Sequence, residues 1–167
     1  MHRSLPLAIA AVLLVGCQTD TSRQDVAGPG LERVQPVSIV EQVLGDDPAL
    51  VHTGAQLIRS EDELAGLDAS ALRRLDIDFQ RHDLILVTAG QMPTGGTWIH
   101  IDSIDRVGDV LNVNGRVNRP GPDEAATQAI THPFAAAIIE KTRAEVIARP
   151  FIDEVRGEPH PAEANDD

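Results

Sequence analysis

Side chains that could carry covalent or metal chemistry are few in this sequence, and their spacing is poor for it. The single cysteine, Cys17, has no second cysteine with which to form a disulfide within the chain. No Gly-x-Ser-x-Gly segment is present to place a serine on a nucleophile elbow. The histidines beyond the first ten residues are His52, His82, His100, His132 and His160. No two of these are two or four residues apart, the spacings that put paired ligands on one face. We predict no catalytic residue, no metal site and no cofactor, and we expect a protein that is not an enzyme.

Composition limits the partners. The chain has 26 acidic residues against 14 Lys plus Arg, a formal net charge of -12, and its one lysine is Lys141. Nucleic-acid binding needs basic residues gathered on one face to neutralise phosphates, and no such cluster occurs. Trp98 and three phenylalanines are the only aromatic residues, too few for a base-stacking platform. We therefore predict that nucleic acid is not a partner.

The first seventeen residues, MHRSLPLAIAAVLLVGC, have the organisation of a signal peptide. Arg3 precedes an apolar run from Leu5 to Val15, which has the length of a signal-peptide apolar region and is too short to span a bilayer. The run ends in Leu-Val-Gly before Cys17, which resembles the lipobox of bacterial lipoproteins. That resemblance implies removal of residues 1–16, acylation of Cys17 and attachment to the membrane through lipid alone. The alternative is an ordinary secretory signal with a leftover cysteine.

The residue after the lipidated cysteine bears on location. By the sorting rule of lipoproteins, Asp at this position indicates retention in the inner membrane, whereas this chain has Gln18. We therefore expect a lipid-anchored cell-envelope protein, at the outer membrane in a Gram-negative cell. Residues 17–48 then form the lipidated cysteine and a tether, because QTDTSRQDVAGPG has little to bury.

Helical patterns occur in the first half of the mature chain, and the alanine-rich segment 134–140 is compatible with either a strand or a helix. Apolar residues at helical spacing predict a short helix over 38–44. Ser60 and Glu63 form a Ser-x-x-Glu capping box, followed by an apolar stripe to Leu75. We predict one broken helix, or two short ones, over residues 61–75.

The chain beyond Asp78 has mainly the patterns of β structure. Residues 83–90 read as a buried strand, and residues 97–104 and 110–117 alternate on either side of a Val-Gly-Asp turn, which predicts a hairpin. Proline-rich residues 118–125 are expected to be a loop, and further short strands are expected over 127–132, 134–140 and 144–149. The fold class is therefore α+β, a mostly antiparallel β-sheet with one short or broken helix in a single small domain, 49–152. Residues 153–167 read as an acidic disordered tail.

The segment Pro93-Thr94-Gly95-Gly96 admits three interpretations. A strand-to-strand turn is favoured, because proline fixes φ and glycine accepts positive φ. A partner-contacting loop is the second, since binding residues concentrate on exposed loops. A phosphate cradle is the weakest, because the glycines would then open a helix, whereas here they open a strand.

Together these motifs are similar to one family. The order of EDEL, DFQRHDLILVTAGQMPTGGTWIHIDSI, a proline loop and TQAITHPFAAAII resembles the C-terminal domain of the protease-complex subunit PrcB, over roughly residues 50–149. The family usually has Tyr after the second glycine, whereas this chain has Thr97 there and Trp98 one place later. A one-residue displacement turns the ring to the opposite face of the sheet.

The resemblance implies a non-catalytic, protein-binding domain that serves as an accessory or stabilising subunit of an envelope complex, with a cell-surface protease as the candidate partner. The residues we expect to contact a partner are Thr94, Gly95, Gly96 and Trp98. The alternative is a chagasin-like protease inhibitor that presents the 92–98 loop together with Arg-Pro-Phe at 149–151. That alternative requires the two segments to lie side by side at one end of the sheet.

Overall fold

The computed structural model describes residues 33–144, 146–147 and 151–157, all within one compact unit that spans Glu32–Asp167. The expected signal peptide, the lipidation site Cys17, and residues 149–150 and 158–167 lie outside the described residues. Within the described ranges, no helix is long and apolar enough to cross a membrane.

Strands make up most of the described chain. In chain order they are β1 (Val34–Val37), β2 (Ile39–Asp46), β3 (Thr53–Ile58), β4 (His82–Ala89), β5 (Trp98–Val107), β6 (Val110–Arg119), β7 (Pro133–Glu140), β8 (Val146–Ile147) and β9 (Phe151–Arg156). One α-helix, α1 (Glu61–Gly66), and a 3₁₀ turn at Leu72–Arg74 lie between β3 and β4. The predicted broken helix over 61–75 is confirmed as two short pieces.

The strands form two sheets. The first sheet has the order β1-β5-β6-β8, with β9 also beside β6, and the second sheet has the order β2-β7-β4-β3. The pairs are antiparallel except β6 with β8 and β6 with β9, which are parallel. The mostly antiparallel fold expected from sequence is thus confirmed, and so is the β5–β6 hairpin, closed by the pair Val107–Val110.

The main core lies between the two sheets. Ile99 and Ile101 of β5 pack with Ile85 and Val87 of β4, and all four are almost fully buried. A register shift between Ile101 and Ser103 inserts one extra residue into β5. This bulge lets Ile104 rejoin the same buried face, although strict alternation from Ile101 would point it outwards.

A second core lies on the other face of the second sheet. Leu64 of α1 and Leu72 of the 3₁₀ turn pack with Leu84 and Leu86 of β4 and with Phe134 of β7. Both faces of β4 are therefore covered, which explains why residues 83–90 form an unbroken apolar run rather than an alternating one.

The start of α1 is capped by its own sequence. Ser60 Oγ accepts a hydrogen bond from the Glu63 N–H at 3.2 Å, as the capping box predicts. The Glu63 carboxylate reaches one residue further back than in that motif and accepts from the Arg59 N–H at 2.8 Å. Two N–H groups at the helix entry are thereby satisfied.

Three predictions are corrected. Residues 38–44 are not helical, because 39–44 lie in β2, where a register shift between Ile39 and Glu41 disturbs the two-residue alternation and imitates helical spacing. Residues 127–132 do not form a strand, and only Thr131 makes an isolated bridge, to Met92. The ordered domain is also wider than 49–152: β1 and β2 precede it, and β9 continues to Arg156, into the expected tail.

Candidate partner-binding site

The Pro-Thr-Gly-Gly segment is a turn that is held by hydrogen bonds against the proline loop, which follows β6. The Met92 N–H donates to the Thr131 carbonyl at 2.7 Å, and the Thr131 N–H donates back at 3.0 Å. The Thr131 hydroxyl donates to the Thr94 carbonyl at 3.0 Å, and the Gly95 N–H donates to the Thr127 carbonyl at 2.9 Å. The loop before β5 and the loop before β7 are therefore held together by main-chain contacts.

Each glycine of the pair has a separate structural reason. A Cβ at Gly95 would overlap Thr127 Oγ1, so any larger residue there requires the Thr127 side chain to move. Gly96 has φ of +81°, and a Cβ on it would lie 3.0 Å from Pro120 Cγ. The turn interpretation is supported by this geometry, since a positive φ at the end of a turn is what glycine accepts without strain.

A third loop joins the same end of the molecule. The Asp47 N–H donates to the His132 carbonyl at 3.2 Å, and the His132 N–H donates to the Asp46 carboxylate. We call the surface formed by residues 46–52, 90–97 and 120–132 the loop end. These ranges contain no lysine or arginine. Val51 and Ile130 are 47% and 63% exposed on it. The loop end therefore combines exposed apolar side chains with acidic and neutral polar groups.

Asp47 organises the base of this surface. Its side chain is almost fully buried and accepts hydrogen bonds from the Ala71 N–H at 2.9 Å, the Ala49 N–H at 3.0 Å and the Ser70 hydroxyl at 3.2 Å. Burial alone raises the pKa of a carboxyl group, but these donors outweigh it and hold the pKa of Asp47 below its usual value. The carboxylate thus ties the chain after β2 to the segment that leads into the 3₁₀ turn.

The expected contact residues lie close together in sequence but differ in exposure. Gly96 is exposed and Thr94 half-buried, whereas Gly95 is buried. Trp98 is only 7% exposed, with its ring edge-on to that of His100 at 6.3 Å between centroids. A side chain this buried offers little surface to a partner, and the partner contact expected of Trp98 stays a prediction.

Gln42 joins the two sheets beside Trp98. Its Oε1 accepts from the Ile101 N–H at 2.9 Å, and its Nε2 lies 2.9 Å from His100 Nδ1. Next along the same face, Asp102 Oδ1 lies 3.3 Å from Arg116 Nη2 and 3.9 Å from His100 Nε2. Sequence reasoning missed Gln42, because a polar residue in an irregular strand carries no local signal of a partner 59 residues away.

A second buried acid lies away from the loop end. The Asp83 side chain is fully buried, with Lys141 Nζ at 3.2 Å, Arg59 Nε at 4.0 Å and a hydrogen bond from the Thr142 N–H at 2.9 Å. Lys141 Nζ also donates to the Phe79 carbonyl at 2.7 Å. These contacts tie β3, β4 and the chain after β7 together, which is a structural role. Over the described part of the chain, no three His, Cys, Asp or Glu side chains group as metal ligands.

The strand register bears on the inhibitor alternative. Trp98 pairs with Asn118 of β6, whereas Phe151 pairs with Asn114. Those partners are four residues apart on β6, about 13 Å at ~3.3 Å per residue. Phe151 therefore lies partway along the sheet rather than beside the 92–98 loop. The register contradicts the side-by-side arrangement that a chagasin-like inhibitor requires, with residues 149–150 themselves outside the described ranges.

The strands and loops around the turn correspond to a known family. Residues 84–140 match the family described as PrcB C-terminal. This central part of the chain is similar to a PrcB C-terminal domain. The match runs from β4 through β7, so it contains the two central strands of each sheet together with the Pro-Thr-Gly-Gly turn and the proline loop. No curated protein and no solved structure matches the chain.

The PrcB C-terminal match is narrower than the range of 50–149 expected from sequence. The capped helix α1 and the Asp78–Phe79 pair precede it. The matched part consists of β4 to β7 and of two of the three loops that form the loop end, 90–97 and 120–132.

Proposed function

We propose that this chain is a lipid-anchored, non-catalytic accessory subunit that binds and stabilises a protease in the cell envelope. The observation that carries the proposal is the PrcB C-terminal match over the four central strands and the Pro-Thr-Gly-Gly turn. The protease partner is what the resemblance to the protease-complex subunit PrcB implies, and the anchor is what the lipobox-like sequence that ends at Cys17 implies.

The path of the chain supports the loop end as the binding surface. β1 begins at Val34, which pairs with Val107 beside the hairpin turn, so the polypeptide enters the domain at the hairpin end. β5 runs from Val107 back to Trp98, about 30 Å at ~3.3 Å per residue. The described part of the chain thus begins at the far end of β5 from the loop end.

The chemistry of the loop end fits protein binding. Exposed Val51 and Ile130 supply apolar contact, and the surrounding loops are fixed by the Met92–Thr131 bridge and the Gly95–Thr127 hydrogen bond. Loops that are already ordered lose little conformational entropy when a partner binds. With acids but no lysine or arginine in its loops, this surface favours a partner face that is apolar and neutral or basic.

The proposal is tested on the full-length acylated protein in its native envelope. Crosslinking, capture and mass spectrometry should recover a surface or envelope protease, and that protease should lose activity faster in cells that lack this chain. The Cys17→Ser variant is the control for the anchor and should release the complex from the membrane fraction. Recovery of other envelope proteins without a protease would contradict the protease partner, and peptide cleavage by the purified chain itself would contradict the non-catalytic role.

A further inference from the structure

β3 is an edge strand without the usual protection. It ends the second sheet, and among the described residues no strand pairs with its outer side, although β8 approaches it. An edge of this kind presents main-chain N–H and C=O groups that can accept another strand. Natural sheets normally block such an edge with charge, proline, a bulge or a very short strand.

The other edge strands each contain at least one of these protective features. β1 contains Pro36, and β2 contains Glu41 next to its register shift and meets β5 through Gln42. On the far side of the first sheet, β8 has two residues and β9 contains Asp153 and Glu154. By contrast β3 reads Thr-Gly-Ala-Gln-Leu-Ile, without charge or proline, and its register with β4 is unbroken.

A groove of about 310 Å³ runs beside this unprotected edge. We call it the β3-edge groove, and its lining is formed by residues 49–56 together with Leu67 and Thr88. The lining contains no Asp, Glu, Lys or Arg, and its side chains at Ala49, Gly54 and Ala55 are small. Val51, 47% exposed, lies in the lining and also belongs to the loop end.

We propose that the β3-edge groove binds one extended, uncharged segment of the partner protein, which adds as a further strand next to β3. Main-chain hydrogen bonds to β3 provide affinity, and a lining without Asp, Glu, Lys or Arg favours a segment without charge. The inference rests on the proposed function only in requiring a protein partner.

The test places a photoreactive benzophenone side chain at Gln56, an exposed position of β3, in the full acylated chain within its native envelope. Crosslinked peptides are then mapped by mass spectrometry. We expect one partner segment of about four to six uncharged residues, in keeping with ordinary strand lengths. Val51→Lys places a charge in the groove and should lower the crosslink yield at least tenfold. Val40→Lys is the matched control, because Val40 is 57% exposed on β2 at the other edge of the same sheet, and it should leave the yield unchanged.

Four results would overturn the inference: crosslinks to a second copy of this chain, crosslinks to a charged or helical segment, an unchanged yield with Val51→Lys, or no crosslink at all. Chemical capture of a protease from the same cells distinguishes failure of this inference from failure of the proposed function. If the protease is captured equally by the wild type and by Val51→Lys, the accessory-subunit function stands and the β3-edge groove is not the place where it binds.

Discussion

Gln42 Oε1 accepts a hydrogen bond from the main-chain N–H of Ile101 at 2.9 Å, and this contact connects β2 of one sheet to β5 of the other. β1 covers β5 only from Ile104 to Val107. Beyond that point a side-chain amide takes the place of a neighbouring strand. The same amide holds His100 through its Nε2 group. The Gln42 side chain thus connects the two sheets at the point where the main-chain pairing of β1 with β5 ends.

Replacing Gln42 should weaken this connection between the two sheets and destabilise the domain. Gln42→Leu leaves the Ile101 N–H without its acceptor, and we expect a loss of about 1–3 kcal/mol in the free energy of unfolding. Gln42→Glu keeps an acceptor for Ile101 but cannot donate to His100, so it should cost less. Urea denaturation of both variants measures the difference. Equal stability of wild type and Gln42→Leu would show that the contact between the two sheets does not depend on this amide.

Gly96 should tolerate no branched side chain. With φ of +81° and Pro120 Cγ 3.0 Å from the position of a Cβ, Gly96→Val combines backbone strain with a steric clash. We expect a loss of about 2 kcal/mol or more. Gly66→Ala is the control, because nothing lies within 4 Å of its Cβ position in α1, and it should be neutral or stabilising. Thermal unfolding compares them, and a Gly96→Val protein as stable as the wild type would refute the turn geometry.

Asp47 should make the free energy of unfolding depend on pH. Its pKa is lowered in the folded protein, so its contribution is fully present above the unfolded value of about 3.9 and is lost as pH falls through the folded value. The gap in unfolding free energy between wild type and Asp47→Asn should therefore be widest near neutral pH and shrink below about pH 4. Denaturation at several pH values measures it, with Asp76→Asn as an exposed control. A gap that stays constant down to acid pH would contradict a stabilising role for the ionised carboxylate.

Trp98 should behave as a buried residue. Truncation of a side chain that is 7% exposed removes extensive packing, and we expect Trp98→Ala to lower the free energy of unfolding by about 3–5 kcal/mol. Chemical denaturation provides the measurement. A variant that folds with wild-type stability yet loses its partner would restore Trp98 as an exposed contact.

Much of the fold is predictable from sequence where local pattern and tertiary environment agree. The apolar run of β4, the alternation of β5 and β6, and the Ser60 cap each depend on neighbours within a few residues. β2 has the spacing of a helix because its bulge breaks the alternation that identifies strands. β9 has the acidic composition of a disordered tail, and nothing in that composition indicates that β6, more than 30 residues earlier, pairs with it.

The candidate site is predictable only in part. The Pro-Thr-Gly-Gly segment marks a turn, and the hairpin that comes after it is correctly predicted. Its partners Thr127 and Pro120 lie in a loop that the sequence does not connect to it, since long-range contacts between loops leave no periodic signal. Asp47 does carry a local signal: the Asp-Pro sequence is typical of a turn, and its carboxylate indeed accepts from the Ala49 N–H two residues on.

Ile130 is 63% exposed on the loop end, so its replacement tests whether the loop end binds a partner protein. Crosslinked capture from the native envelope should be compared between Ile130→Lys and Val110→Lys, the latter altering an exposed valine at the hairpin end. We predict that Ile130→Lys lowers recovery of the partner at least tenfold at unchanged protein level, whereas Val110→Lys recovers as much as the wild type. Equal recovery with both variants, or loss with Val110→Lys alone, would contradict a binding surface at the loop end.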